Sequence, residues 1–303
     1  MSAGEMMSAI RARVGRFVTE QYRLWREELS PALRAEGVVI HDIDRLSPRL
    51  RRWTRRHFDE QVFPVLTPIA VDPSHPFPQV PNKSHNLVVL LRRPGKRGRE
   101  FHGVVPIPRV LPRLVRLPAH LVGEGWHYVF LKSLIAANVH RLFPGLRIGG
   151  CAAFRVTRNS DLYIDEEEAE NLLRTIEEEL RNRNRGRAVR IELQASCPPR
   201  LEKFLLDVFQ LTAEDVYRVE GPVTLTHLAP LYMIEGLPRL KDRPFIPVHD
   251  LALPPDSDPF AVLRRQDVLL HHPFETFDSL IDLLDRAARD PDVLAVKIGR
   301  AHV

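Results

Sequence analysis

Two adjacent histidines, His271 and His272, are the first residues whose types could do chemistry. Imidazole nitrogens are common metal ligands in proteins. The pair follows a predicted short strand, and neighbouring strand residues point to opposite sides, so it makes a poor joint metal site. We interpret it instead as part of a loop anchored by Pro273 and Phe274.

The segment HDID is a second candidate, because His41 precedes Asp42 and Asp44. No third ligand follows at a fixed spacing, so the sequence does not predict a metal site here. Cys151 and Cys197 lie far apart in the chain, without a CxxC motif or a suitably spaced histidine. We interpret both as reduced core thiols. No residue is therefore assigned a catalytic, cofactor-binding or metal-binding role.

The chain has a formal net charge of +5, from 44 Lys and Arg against 39 Asp and Glu. Basic runs at 49–56, 92–99 and 181–187 could meet a polyanion. Each run also has a local explanation, as the outer face of a helix, a hairpin connection and a helix C-terminus. Few aromatic residues lie among the basic ones, so the runs do not predict a nucleic-acid partner. The sequence also lacks a phosphate-binding GxxxxGK[ST] loop.

The composition indicates a globular chain of 303 residues, of which 44% are hydrophobic and 27% charged. This length is sufficient for two folded domains. No apolar run approaches the roughly 18 residues that cross a bilayer, and the first residues lack the pattern of a signal peptide. We therefore expect no integral membrane segment and a cytoplasmic protein.

Two helices are expected to open the chain. Apolar spacing predicts a helix over 6–35 that ends at Gly37. Its apolar stripe consists of Ile10, Val14, Phe17, Val18, Tyr22 and Trp25. A second helix is expected after Ser47, which can cap it, with its arginines facing away from the apolar stripe. The next segment, 63–81, has six prolines and must be an extended path.

The centre of the chain mixes strands and helices without strict alternation, which indicates an α+β fold. We predict strands at 86–91, 101–106, 153–158 and 188–193, and helices at 128–142, 165–180 and 199–208. A proline-rich linker is expected over 238–259.

After this linker, the sequence predicts one β-α-β unit. Strands at 268–270 and 293–296 flank a helix at 277–288. The inner stripe of that helix is expected to be Phe277, Leu280, Ile281, Leu284 and Ala288. The second strand is apolar throughout, as in a sheet that is buried on both faces. Two parallel strands leave their edges unpaired, so this unit needs further partners.

The chain closely resembles the bacterial polyphosphate kinase family in four segments, FPVLTPIAVDPSHPFPQVPNKSHNLVV, EDVYRVEGPVTL, LPRLKDRPFIP and RRQDVLLHHPFETFD. The likeness runs in order from Ile10 to Lys297. It implies transfer of the ATP γ-phosphate, with Mg²⁺, through a phosphohistidine to polyphosphate. It also implies ATP and polyphosphate as ligands of the complete enzyme, and a homo-oligomer that forms through the middle domain.

The resemblance also implies domain boundaries and a fragment that is truncated at both ends. We expect the end of an N-terminal helical domain at 1–37 and the whole middle domain at 38–253. The first β-α-β of a phospholipase-D-like catalytic domain is expected at 254–297. We interpret 298–303, IGRAHV, as a non-native tail, because its codons can spell a common sequencing-adapter string.

The catalytic histidine of the family stands in a His-x-Lys arrangement. None of the thirteen histidines here has lysine two places on. The 303-residue chain alone is therefore expected to be inactive. The alternative function is a non-enzymatic module for dimerisation or polyanion binding.

Overall fold

The computed structural model describes residues 2–71, 77–95, 100–159, 186–255 and 257–299. The chain divides into two compact units, Met1–Ile234 and Glu235–Val303. The first unit contains both sheets and both hydrophobic cores of the described residues.

A long helical segment opens the first unit. Helix α1 (Ala3–Leu24) passes through a π-helical turn (Trp25–Leu29) into α2 (Ser30–Ala35). Gly37, with φ +80°, then turns the chain, as the sequence predicts. The expected apolar stripe is only half correct. Tyr22 is buried, whereas Ile10 and Phe17 are exposed.

Helix α3 (Pro48–His57) begins where the sequence predicts. The Ser47 hydroxyl caps it by accepting a hydrogen bond from the Leu50 amide at 3.4 Å. The helix continues as a π-helical turn, Phe58–Val62. Its buried side chains, which face the first core, are Leu50, Thr54, Phe58 and Val62.

Nine strands form two sheets within the described part of the first unit. They are β1 (Val38–His41), β2 (Ile69–Val71), β3 (His85–Arg92), β4 (Glu100–Pro106), β5 (Leu114–Arg116), β6 (Trp126–Phe130), β7 (Arg147–Arg158), β8 (Ala188–Gln194) and β9 (Val216–Val219). The larger sheet has the order β2-β4-β3-β7-β8-β9, antiparallel except for the β8–β9 pair. The smaller has the order β1-β6-β5, with β1 and β6 parallel.

Strand β3 separates the two cores. Leu87, Val89 and Leu91 belong to one core, and Val88 and Leu90 belong to the other. All five are at most 3% exposed, because helices cover both faces of the sheet. Helices α4 (Ala119–Val122), α5 (Leu131–Ala137), α6 (Val139–Leu142) and α7 (Pro199–Phe209) complete the first unit. Helices α5 and α6 contribute to the first core, and α7 to the second.

The predicted strands around β3, β4, β7 and β8 are confirmed, as is helix α7. The helix predicted over 128–142 starts too early, because Trp126–Phe130 is strand β6. Aromatic and β-branched residues favour a strand there, and β1 supplies a parallel partner. The helix expected over 165–180 and most of the basic run 181–187 lie outside the described residues.

The second unit contains helices α8 (Pro259–Leu263) and α9 (Asp278–Arg289). Helix α9 confirms the prediction, but most of its expected inner stripe is exposed: Phe277, Ile281 and Leu284 lie on its open side. The strands predicted at 268–270 and 293–296 are wrong, because those residues pair with no described strand. The α+β class is confirmed by the helical N-terminal segment together with the sheets and helices that follow it.

Candidate functional site

A cleft of about 450 Å³ opens in the first unit. The helical segment around Trp25, the end of β1, the start of α5 and the loops after β8 and β9 form its walls. A neighbouring cavity of about 320 Å³ shares four of its residues, Asp42, Lys132, Ser133 and Gln194. We call the two together the Lys132 cleft.

Lys132 is the cation of this cleft. It is the second residue of α5, and its Nζ lies 3.4 Å from both the Gln194 side-chain oxygen and the Gly221 carbonyl. It has no ion pair with a described carboxylate within 4 Å. Burial lowers the pKa of Lys132, because a desolvated ammonium is disfavoured. An anionic group in the cleft would therefore find an ammonium without a strong partner.

The N-terminal helix holds the wall that contains Gly221. Tyr22 is buried, and its hydroxyl donates to the Pro222 carbonyl at 2.6 Å. A Cβ atom at Gly221 would lie 3.2 Å from the Tyr22 ring and 3.5 Å from Trp25. Glycine thus permits close packing of the loop beneath the helix, which fixes the carbonyl that Lys132 approaches.

His41 lines the cleft but pairs with another histidine. Its Nε2 lies 2.8 Å from His127 Nδ1, and His127 Nε2 lies 2.9 Å from the Glu124 carbonyl. A carbonyl only accepts, so His127 donates through Nε2 and its Nδ1 accepts the His41 proton. Burial and then the charges of His127 and Arg34 lower the pKa of His41.

The two aspartates of the HDID segment serve local structure. The Asp42 carboxylate caps the 3₁₀ turn Ile43–Arg45 by accepting from the Asp44 amide at 3.1 Å. Arg45 lies 3.6 Å from the same carboxylate. Within the described ranges, no three histidine, cysteine, aspartate or glutamate side chains are grouped as metal ligands.

A partly buried polar row crosses the larger sheet. His85, Arg155, Glu192 and Tyr217 are register partners on β3, β7, β8 and β9. Glu192 lies 3.4 Å from Arg155 and 2.8 Å from Arg190. Arg190 also stacks over the Tyr217 ring at 3.9 Å. Sequence reasoning missed this row, because alternation in AVRIEL predicts a solvent-facing polar side that the structure in fact largely buries.

His271 and His272 take part in a local loop of the second unit. His272 Nδ1 is 2.9 Å from the Glu275 carbonyl, and the His271 amide donates to the Glu275 carboxylate. The rings lie 4.9 Å from Phe274 and 5.0 Å from Phe277. The loop interpretation is therefore confirmed.

The cysteines pack on different cores. Cys151 lies against the first core and Cys197 against the second, on opposite faces of the larger sheet. Burial raises the pKa of Cys151 to about 12 and that of Cys197 to about 11. Both remain protonated core thiols, as the sequence predicts.

Comparison with solved structures defines the class of fold. The chain matches the crystal structure of polyphosphate kinase from Porphyromonas gingivalis with a TM-score of 0.74 and 24% identity. The match covers 95% of this chain and 41% of that one. The first unit thus has the α+β architecture of part of that protein.

Sequence comparison then gives the family. The model of the polyphosphate kinase middle domain matches residues 49–231, and that of the C-terminal domain 1 matches 258–300. The chain belongs to the polyphosphate kinase family, as its motifs predict.

Curated relatives show the same relationship. Polyphosphate kinases of Pseudomonas aeruginosa and Xylella fastidiosa are 43% and 41% identical over 281 and 294 residues. These matches cover 92% and 96% of this chain, but 41% and 42% of the relatives. The chain therefore spans about two-fifths of the length of these relatives. None of its described helices is long and apolar enough to cross a membrane.

Proposed function

We propose that the chain is part of an enzyme that transfers the γ-phosphate of ATP through a phosphohistidine to polyphosphate. The observation that carries this proposal is the collinear match of two successive family models, over 49–231 and 258–300. Relatives at 43% identity bear the name polyphosphate kinase. In the complete enzyme, ATP and polyphosphate are the ligands and Mg²⁺ is the metal.

The reacting histidine is assigned to a part of the enzyme beyond these residues. No histidine here has the His-x-Lys arrangement of the family, and His85 is buried. The described residues also do not fit a Mg²⁺ site, because their carboxylates are not grouped for shared coordination. The isolated chain is therefore expected to bind ATP·Mg²⁺ poorly and to make no polyphosphate.

The middle domain, proposed over 38–253, has a positioning role in this enzyme. Its two cores on either side of β3 make a rigid frame. We expect it to form the contact between subunits of a homo-oligomer. Light scattering of the purified chain measures its oligomeric state. The catalytic domain is proposed to begin at 254. The enzyme is assigned to the cytoplasm.

A segment exchange tests the enzymatic proposal. The 281 matching residues of the Pseudomonas aeruginosa relative are replaced by those of this chain. The chimera is expected to make polyphosphate from ATP with Mg²⁺ and to take up an acid-labile, alkali-stable phosphate from labelled ATP. The 303-residue chain should do neither. A folded chimera without synthesis, or synthesis by the 303-residue chain that one of its own histidine substitutions abolishes, would overturn the proposal.

The second candidate is a non-enzymatic polyanion-binding module. Lys132, which lies in the cleft without a described carboxylate partner, favours it. Nucleic acid is the weaker polyanion partner, because exposed aromatic side chains do not alternate with the basic residues.

A further inference from the structure

Helix α3 carries five arginines among its ten residues. All five are exposed: Arg49, Arg51, Arg52, Arg55 and Arg56. The buried side of the same helix is fixed in the first core by Leu50 and Thr54. The helix therefore presents a rigid, positively charged surface, which we call the α3 arginine face.

Within the described residues, the arginines of this face lack the carboxylate partners that Arg23 and Arg289 have on other helices. On α1, Arg23 pairs with Glu20 at 2.7 Å, and on α9, Arg289 pairs with Asp285 at 2.7 Å. Among the described residues, no α3 arginine has a carboxylate within 4 Å. Arg51 donates to the backbone carbonyl of Asp44 at 2.6 Å. As far as the described residues go, the guanidinium groups of Arg49, Arg52, Arg55 and Arg56 thus remain available to an anion.

The stability of the helix explains only part of this concentration of charge. The first turn contains no acidic residue, and arginines there oppose the positive end of the helix dipole. Arg52 repels Arg55 and Arg56, which stand three and four residues further on. Arg55 and Arg56 lie in the last turn, where positive charge suits the dipole. The unfavourable charges are therefore those of the first turn and the repulsion from Arg52, which a bound anion would offset.

The geometry fits a linear chain of phosphates. Arg49, Arg52 and Arg56 follow helical spacing along one stripe about 10 Å long. The guanidinium fork matches phosphate oxygens, and an unbranched phosphate chain presents such oxygens at every repeat. The aromatic ring on this helix, Trp53, is already stacked on His57 at 5.0 Å. A nucleobase would therefore find no free ring to stack on.

We propose that the α3 arginine face is a binding site for linear polyphosphate, which holds the phosphate chain against the middle domain. This inference rests on the proposed function for its choice of ligand. Because binding is mainly ionic, affinity should fall as salt rises, with one counterion released for roughly each phosphate neutralised.

The test uses the full 303-residue chain and labelled linear polyphosphate at two salt concentrations. The variant replaces Arg49, Arg52, Arg55 and Arg56 by glutamine. The matched control replaces Arg16, Arg109, Arg116 and Arg147, four exposed arginines on separate elements, and removes the same charge. We expect about tenfold weaker binding and a smaller salt slope in the α3 variant, and a change of less than about threefold in the control.

Thermal melting of both variants shows whether they remain folded, so that a loss of binding is not a loss of structure. The α3 variant should melt at the same or a higher temperature, because like charges are removed. Equal losses of affinity in both variants would overturn the inference and leave only an effect of net charge. Equal affinity for single-stranded DNA of the same charge, lost in the same variant, would also overturn it. The chimera experiment reports on the kinase proposal separately, so failure of one is distinguishable from failure of the other.

Discussion

The imidazole rings of His85 and His227 lie against each other in the first unit, with their centroids 4.7 Å apart and their planes tilted by 39°. His85 is 5% exposed, and no described group hydrogen-bonds to its ring nitrogens. The positive charges of Lys132, Arg113 and Arg155 act on both rings. Burial and then these positive charges lower the pKa of His227 from 6.5 to about 4, and burial followed by His227 and the cations lowers that of His85.

Acid is therefore expected to destabilise the first unit through this pair. The unfolded histidines bind protons more readily than the folded ones, so acid favours the unfolded state. The free energy of unfolding is therefore highest above pH 6.5 and falls as the pH is lowered to about 4. Melting curves across this interval should show a falling Tm, less steep in His227→Gln. His140→Gln, at an exposed position, is the control. Parallel Tm profiles for all three proteins would contradict the prediction.

Replacement of Lys132 by methionine should leave the free energy of unfolding unchanged or raise it by about 1 kcal/mol. The substitution keeps the apolar stem and removes an ammonium whose burial carries a desolvation cost. Urea unfolding measures the change. Lys203→Met on the exposed side of α7 is the control and should change stability by less than about 0.5 kcal/mol. A loss of more than about 2 kcal/mol in Lys132→Met would mean that the weak contacts to Gln194 and Gly221 stabilise the fold.

Replacement of Tyr22 by phenylalanine should cost about 1 kcal/mol, because the Pro222 carbonyl loses its donor. Tyr22→Leu should cost more, since it also removes the ring that packs on Gly221. Urea unfolding of both variants gives the measurement. Equal stability of the wild type and Tyr22→Phe would show that water replaces the hydroxyl at no cost.

Residues 293–296 should exchange their amide hydrogens much faster than residues 188–193 of strand β8. Leu294 is 95% exposed and Val296 is 56% exposed, and the segment pairs with no described strand. Strand β8, by contrast, is hydrogen-bonded on both sides. Mass spectrometry of a confirmed monomer makes the comparison. Equally slow exchange would show that the terminal segment is covered after all.

Sequence reasoning located the elements whose signals are local. Ser47 caps α3, and the apolar run of β3 is followed after a short connection by β4, so both could be predicted. Strands β1 and β6 could not, because each is short and pairs with a segment about 90 residues away in the chain. The prediction of a strand at 293–296 was wrong because the apolar run has no described partner strand. An apolar run becomes a strand only where such a partner is present.

The Lys132 cleft was also hidden from sequence reasoning. A lysine at the start of a helix usually extends into solvent, and nothing in the local sequence places Gln194 and Gly221 beside it. The α3 arginines were visible, but their spacing alone did not distinguish a solvated face from a binding surface. Their lack of described carboxylate partners becomes apparent only in the fold.

Consecutive residues of strand β3 face different cores. Leu87 faces the core of α5 and α6, while Val88, one position on, faces the core of α7. The deletion of a single residue ahead of Leu87 would reverse the facing of the residues that follow and send each side chain into the other core. Because both cores are apolar, the shifted side chains would still be buried and no hydrophobic surface would be exposed. The deletion would act only through side chains whose shapes do not fit the core they enter.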